Sequence, residues 1–137
     1  MKTVILLIGV GEQISLIHDV LGAEGYEVQR MDWSELKQSV EPSLLHINLI
    51  ILVDRREGRA HQNDPDPKLA LKRWLDKGQV IPLLVITSSN TSPQFIVEWL
   101  DYGANDVMQE PIHLSVMLAR IRNLLRIFAN ATQEGKK

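Results

Sequence analysis

Three stretches of the chain are apolar almost without interruption: Thr3–Ile8 (TVILLI), Ile47–Val53 (INLIILV) and Ile81–Thr87 (IPLLVIT). They are short and rich in β-branched residues. That pattern belongs to strands buried on both faces, as in a parallel sheet covered by helices. Two shorter segments, Glu27–Met31 and Asn105–Gln109, read as further strands. Between them the apolar period lengthens to that of a helix. Ile14, Ile17, Val20 and Leu21 recur along Glu12–Ala23, closed by Gly25. Asp32 is placed to cap a helix over WSELKQSV, and Asp66-Pro67 opens another with Leu71, Trp74 and Leu75 on one side. The sharpest boundaries flank PQFIVEWLDY, where Ser92 caps, Pro93 takes the first helical position and Gly103 ends the helix. A last helix, His113–Phe128, aligns Met117, Ile121, Leu124, Leu125 and Phe128. Five strands alternating with five helices predict an α/β, doubly wound, five-stranded parallel sheet.

The 137 residues fit one domain, expected over 1–129 with 130–137 as a flexible tail or linker stub. A chain of this size buries roughly 65–70% of its unfolded surface, enough for a core without staples. There is no cysteine, so disulfides and thiolate zinc sites are excluded. His18, His46, His61 and His113 show no metal-ligand spacing. Trp33, Trp74 and Trp99 fall on separate helical segments, as core or edge packing does. A net charge of -2 gives no basic field for nucleic acid or anionic lipid. No apolar run is long enough to span a membrane, and a cytoplasmic protein is the expectation. The polar stretch from Asp54 to Pro67 reads as an exposed loop.

In an open α/β sheet the functional residues lie beyond the carboxyl ends of the strands. That rule selects Gly9–Glu12, Val53–Arg55, Thr87–Asn90 and Gln109–Pro111. Gly9 and Gly11 match the first two positions of a dinucleotide loop, but Ile14 takes the third; no Gly-Lys-Ser/Thr follows, which excludes a P-loop. A small-molecule site using this turn and the 54–67 loop is one reading to test.

The other selected stretches carry a resemblance. An apolar strand ending near Asp54, a strand ending VITSSN, and GANDVMQEPI before LSVMLARIRNLLR together resemble the receiver domain of two-component response regulators, over about Thr3–Arg126. The resemblance implies a CheY-like, flavodoxin-like fold with strand order 2-1-3-4-5. It also implies phosphoryl transfer to an aspartate ending the third strand, aided by Mg²⁺ on an acidic pair after the first strand and by a lysine before the proline that follows the fifth. A carboxylate attacks a polyanion only when cations neutralise the incoming oxygens.

Each working part is altered here. Gly9 and Val10 stand where the acidic pair belongs, with Glu12 the nearest acid. Matching NLIILVDRR to the family strand places Val53 at the acceptor position and Asp54 one residue on, which turns Asp54 to the other face unless a bulge intervenes. Glu110 replaces the lysine, either opposing a phosphoryl group or pointing into solvent. Thr87 matches the switch hydroxyl, but Val107 takes the place of its aromatic partner.

A degenerate receiver follows as the leading expectation: a signalling module, not an enzyme, independent of phosphorylation, with no cofactor. It acts on a protein partner or a fused output domain. In receivers that pair through the fourth helix, fifth strand and fifth helix, an Asp and an Arg meet across the dimer. Asp106 and Arg120 match them, with Glu98, Asp101, Arg122 and Arg126 nearby, which leaves two equal readings: a homodimer through this face, or an ordinary solvated pair. The competing expectation is an atypical receiver that uses Asp54 as phosphoacceptor and Glu12 for Mg²⁺.

Overall fold

The computed structural model describes residues 2–9, 11–32, 35, 46–55, 67–75 and 80–135. Five strands, β1 (Val4–Ile8), β2 (Glu27–Met31), β3 (Leu49–Asp54), β4 (Leu83–Thr87) and β5 (Asp106–Gln109), form one sheet in the order β2-β1-β3-β4-β5. All four pairings are parallel. The described helices are α1 (Glu12–Ala23), α2 (Pro67–Leu75), α3 (Pro93–Tyr102) and α4 (Leu114–Gly135). The expected helix over WSELKQSV lies outside the described residues except for Glu35. There Asp32 and Glu35 cap reciprocally: Glu35 N donates to Asp32 Oδ1 (2.9 Å) and Asp32 N to Glu35 Oε1 (3.3 Å).

The continuous apolar runs of β1, β3 and β4 are buried throughout because alternate residues feed two separate cores. Ile5, Leu7, Leu49, Ile51, Val53, Leu84 and Ile86 pack against Ile14, Ile17 and Leu21 of α1 and Met117, Ile121 and Leu124 of α4. Leu6, Ile8, Ile50, Leu52, Leu83 and Val85 pack against Leu71 of α2 and Trp99 of α3. Each fully buried aliphatic side chain contributes about 1.5–3 kcal/mol.

Two asparagines fix the strand starts. Asn48 N donates to Val4 O (2.8 Å) while Val4 N donates to Asn48 Oδ1 (2.9 Å); Asn105 makes the same exchange with Leu83, at 2.8 Å each way. The α3 boundaries follow the sequence: Ser92 Oγ accepts from Phe95 N, and Gly103 leaves the helix at φ 127°. Two boundaries shift. β3 runs one residue past Val53 to include Asp54, and α4 continues past Phe128 through Gly135.

Candidate functional site

The parallel strands deliver Gly9, Asp54, Thr87 and Gln109 to one edge of the sheet. At the end of β1 the backbone of Gly9 takes φ 149°, and its N–H donates to Met31 O (3.0 Å). A Cβ there would stand 2.8 Å from Ile14 Cδ1 and 3.2 Å from Val53 Cβ. A side chain there would make Ile14 swing its δ-methyl and Val53 give by a few tenths of an ångström, at a φ that L residues rarely adopt, so an acid at Gly9 would be strained. Val10 lies outside the described residues. Glu12 opens α1 and is exposed, where a carboxylate is favoured by the helix dipole.

The β3–β4 register is unbroken through Val53↔Ile86 and Asp54↔Thr87, with no bulge. Val53 therefore faces α1 and α4, and Asp54 turns to the α2–α3 face. It is Asp54, not Val53, that stands beside Thr87. Nor is Asp54 a loop carboxylate: it is fully buried, and its Oδ2 accepts a hydrogen bond from Trp99 Nε1 at 2.9 Å. Thr87 is fully buried too, and its Oγ1 has no hydrogen-bond partner among the described residues. Val107, in the aromatic position, is half-buried and packs on the α2–α3 core.

Glu110 departs most from expectation. It does not point into solvent; only 9% of it is exposed. Arg55, just past β3, clamps it with two parallel bonds, Nε to Oε1 at 2.7 Å and Nη2 to Oε2 at 2.5 Å. Arg55 Nη2 also donates to Gln13 Oε1 of α1 at 2.6 Å. The guanidinium thus ties together the ends of β3 and β5 and the first turn of α1. The hydrogen bond to Glu110 is the largest cause raising the Arg55 pKa above its ordinary value; partial desolvation opposes it and coulombic attraction adds to it. The clamp's cation is accordingly charged across the physiological range. The Glu110 carboxylate is neutralised locally by a cation from the end of β3, two strands away.

These donors do not assemble a Mg²⁺ site. The ion needs near-octahedral oxygen ligands. Asp54 is turned toward α3 and held by Trp99, Glu12 begins a helix packed on the other face, and an acid at Gly9 would be strained. Among the described residues no three His, Asp or Glu side chains converge to hold a metal. The Gly9–Gly11 turn lines a recess of about 270 Å³ with Arg30, Met31, Asp32 and Glu35. Its two acids are engaged with each other's backbone, which makes a poor phosphate cradle. The loop that the small-molecule reading required, 56–66, is outside the described residues.

On the outer face of α3, β5 and α4, Asp106 and Arg120 meet within one chain, Arg120 Nη1 donating to Oδ1 at 3.0 Å and Oδ2 at 2.9 Å. Glu98, Asp101 and Arg122 are exposed and join no ion pair among the described residues. Val97, Leu100 and Val116 are exposed apolar residues on the same two helices.

Three participants were missed in the sequence. Arg55 and Gln13 meet Glu110 only through the fold, although a cation next to Asp54 in a chain with an acid before Pro111 was a usable signal. Trp99 read as core packing, which it is; the missed signal was its indole N–H, which needs an acceptor when buried.

The topology and the two-sided core define a CheY-like α/β fold. The chain superposes on the signal receiver domain of a putative LuxO repressor protein from Vibrio parahaemolyticus with a TM-score of 0.74 at 18% identity, covering 98% of this chain and 96% of that one. A CheY-like response regulator receiver domain protein from Methanospirillum hungatei JF-1 matches over the full length of both chains, TM-score 0.71, 20% identity. NtrX from Brucella abortus, solved with ATP, matches 98% of this chain with 29% of its own, TM-score 0.77, 17% identity. In sequence, the transcriptional regulatory protein PhoP of Escherichia coli is 35% identical over 63 residues, 46% of this chain. That match spans 28% of the length of PhoP. No family model matches the chain. No helix among the described residues is long and apolar enough to cross a membrane.

Proposed function

We propose that this chain is a receiver-like signalling module of two-component regulation that has exchanged phosphoryl chemistry for a fixed ion pair and works by protein–protein contact. The observation that carries the reading is the Arg55–Glu110 clamp, an internal salt bridge where the resemblance calls for a free lysine. Gly9 supports it, since an acid there would be strained. On this reading the domain catalyses nothing, uses no metal and acts in the cytoplasm. The exposed face of α3, β5 and α4 is the surface offered to a partner, a second copy or a fused output domain. The lengths of PhoP and NtrX beyond their matching portions support the last of these.

A second reading, Asp54 as an atypical phosphoacceptor, is favoured by the pairing of Asp54 with Thr87. Titration of the ¹⁵N-labelled chain with Mg²⁺ and beryllofluoride separates the two. The leading reading expects no saturable shifts at Gly9, Asp54, Thr87 and Glu110. Saturable shifts converging on those four, abolished by Asp54→Asn, would establish the second reading instead.

A further inference from the structure

We propose that Asp106 and Arg120 form a latch that closes the outer edge of β5 and keeps the sheet from adding a strand of a second copy of this chain. β5 is the last strand of the sheet, so one side of its backbone has no neighbouring strand. At its end Glu110 N donates to Thr87 O of β4 at 2.9 Å. Backbone groups alternate in direction along a strand, so Met108 faces β4 as Glu110 does, whereas Val107 and Gln109 face outward. An open row of this kind is a template for pairing with another chain. Here it is interrupted, because the outward N–H of Val107 donates to Asp106 Oδ1 at 2.9 Å. Arg120 of α4 fixes that carboxylate, its Nη1 donating to Oδ1 at 3.0 Å and to Oδ2 at 2.9 Å.

Both carboxylate oxygens are therefore engaged inside the chain. A bridge from Asp106 to the arginine of a second copy would first break the contact that holds the cap over Val107. The latch is placed where it can open: the Asp106 and Arg120 side chains are 24% and 46% exposed. With Ser115, Val116, Ala119 and Asn123 they line an open groove of about 480 Å³ along α4. A strand added to β5 would find room there for its side chains. A second copy is the occupant that the edge fits, because two β5 edges related by a two-fold axis present the same groups to each other. The latch goes beyond the proposed function, since it acts on the strand edge whatever docks on the helices.

The test uses the full chain, ¹⁵N-labelled for amide exchange and followed by sedimentation over a range of concentrations. Asp106→Ala removes the cap, and exchange of the Val107 amide is expected to rise about tenfold or more. Asp106→Asn, which keeps an oxygen for that amide but loses the ion pair, should raise it less. Asp106→Ala and Arg120→Ala should both self-associate more strongly than the parent. Adding Gln109→Pro, which takes an outward amide from the edge, should abolish the gain. Unchanged Val107 exchange in Asp106→Ala would overturn the proposal. So would association equal to or weaker than the parent's, weakening being the sign of a pair that bridges two copies, or a gain that survives Gln109→Pro. Should Asp106→Ala fail to fold, Arg120→Ala with and without Gln109→Pro decides by the same signs.

Discussion

Glu110→Lys puts the expected residue type back before Pro111 and sets a cation against Arg55. Two charge-assisted hydrogen bonds are lost, which in a fully buried setting would cost about 3–6 kcal/mol. The Arg55 side chain is 42% exposed and Glu110 only 8%, so water screens the pair from one side and reduces that loss to about 1–2 kcal/mol. The new ammonium repels the guanidinium, by up to about 4 kcal/mol at 4 Å and an effective dielectric of 20. Arg55 escapes most of this by swinging outward, leaving about 1 kcal/mol. The expected sum is a destabilisation of about 2–3 kcal/mol, read in urea as a lower midpoint with the slope kept. In calorimetry it appears as a melting temperature about 6–12 °C lower. The charge-swapped double variant Arg55→Glu/Glu110→Lys should recover at least half of the loss. A Glu110→Lys chain as stable as the parent, or a double variant no better than the single, would refute the idea that the clamp holds this edge together.

Other expectations can be read from equilibrium unfolding. Gly9→Ala forces a Cβ against Val53 and Ile14 at a positive φ and should cost about 1–3 kcal/mol; a neutral outcome would remove the argument that an acid there is strained. Asp54→Ala and Trp99→Phe should each destabilise, while the double variant loses less than their sum because neither partner is left buried and unpaired; strict additivity would mean that the hydrogen bond is not made. Asn105→Ala removes the Oδ1 acceptor for Leu83 N and should cost about 1 kcal/mol. Arg120→Ala, by contrast, should change stability by less than about 1 kcal/mol, since the Asp106 pair is solvent-exposed; any larger effect on self-association in sedimentation would belong to the interface.

The fold was legible because burial on both sides of a parallel sheet leaves unbroken apolar runs, as in Val4–Ile8 and Leu83–Thr87, and because Ser92, Pro93 and Gly103 mark α3 chemically. The site was legible only as a set of strand ends. Alternation showed that Val53 and Asp54 face opposite ways, but which of them stands beside Thr87 depends on where β3 stops relative to β4. That is a register between strands, not a local signal. Glu110 was legible as an acid before Pro111, whereas its neutralisation depends on Arg55, 55 residues away in sequence. The length of α4 was misjudged because ANATQEG lacks an apolar stripe, although most of its residues form helix readily.

The central claim, that the strand-end site no longer takes a phosphoryl group, is tested most directly by the intact mass of the full chain after incubation with acetyl phosphate and Mg²⁺. The account predicts the unmodified mass at every time point, for the parent and for Asp54→Asn alike. A stoichiometric adduct of one phosphoryl group on the parent, absent from Asp54→Asn, would contradict it.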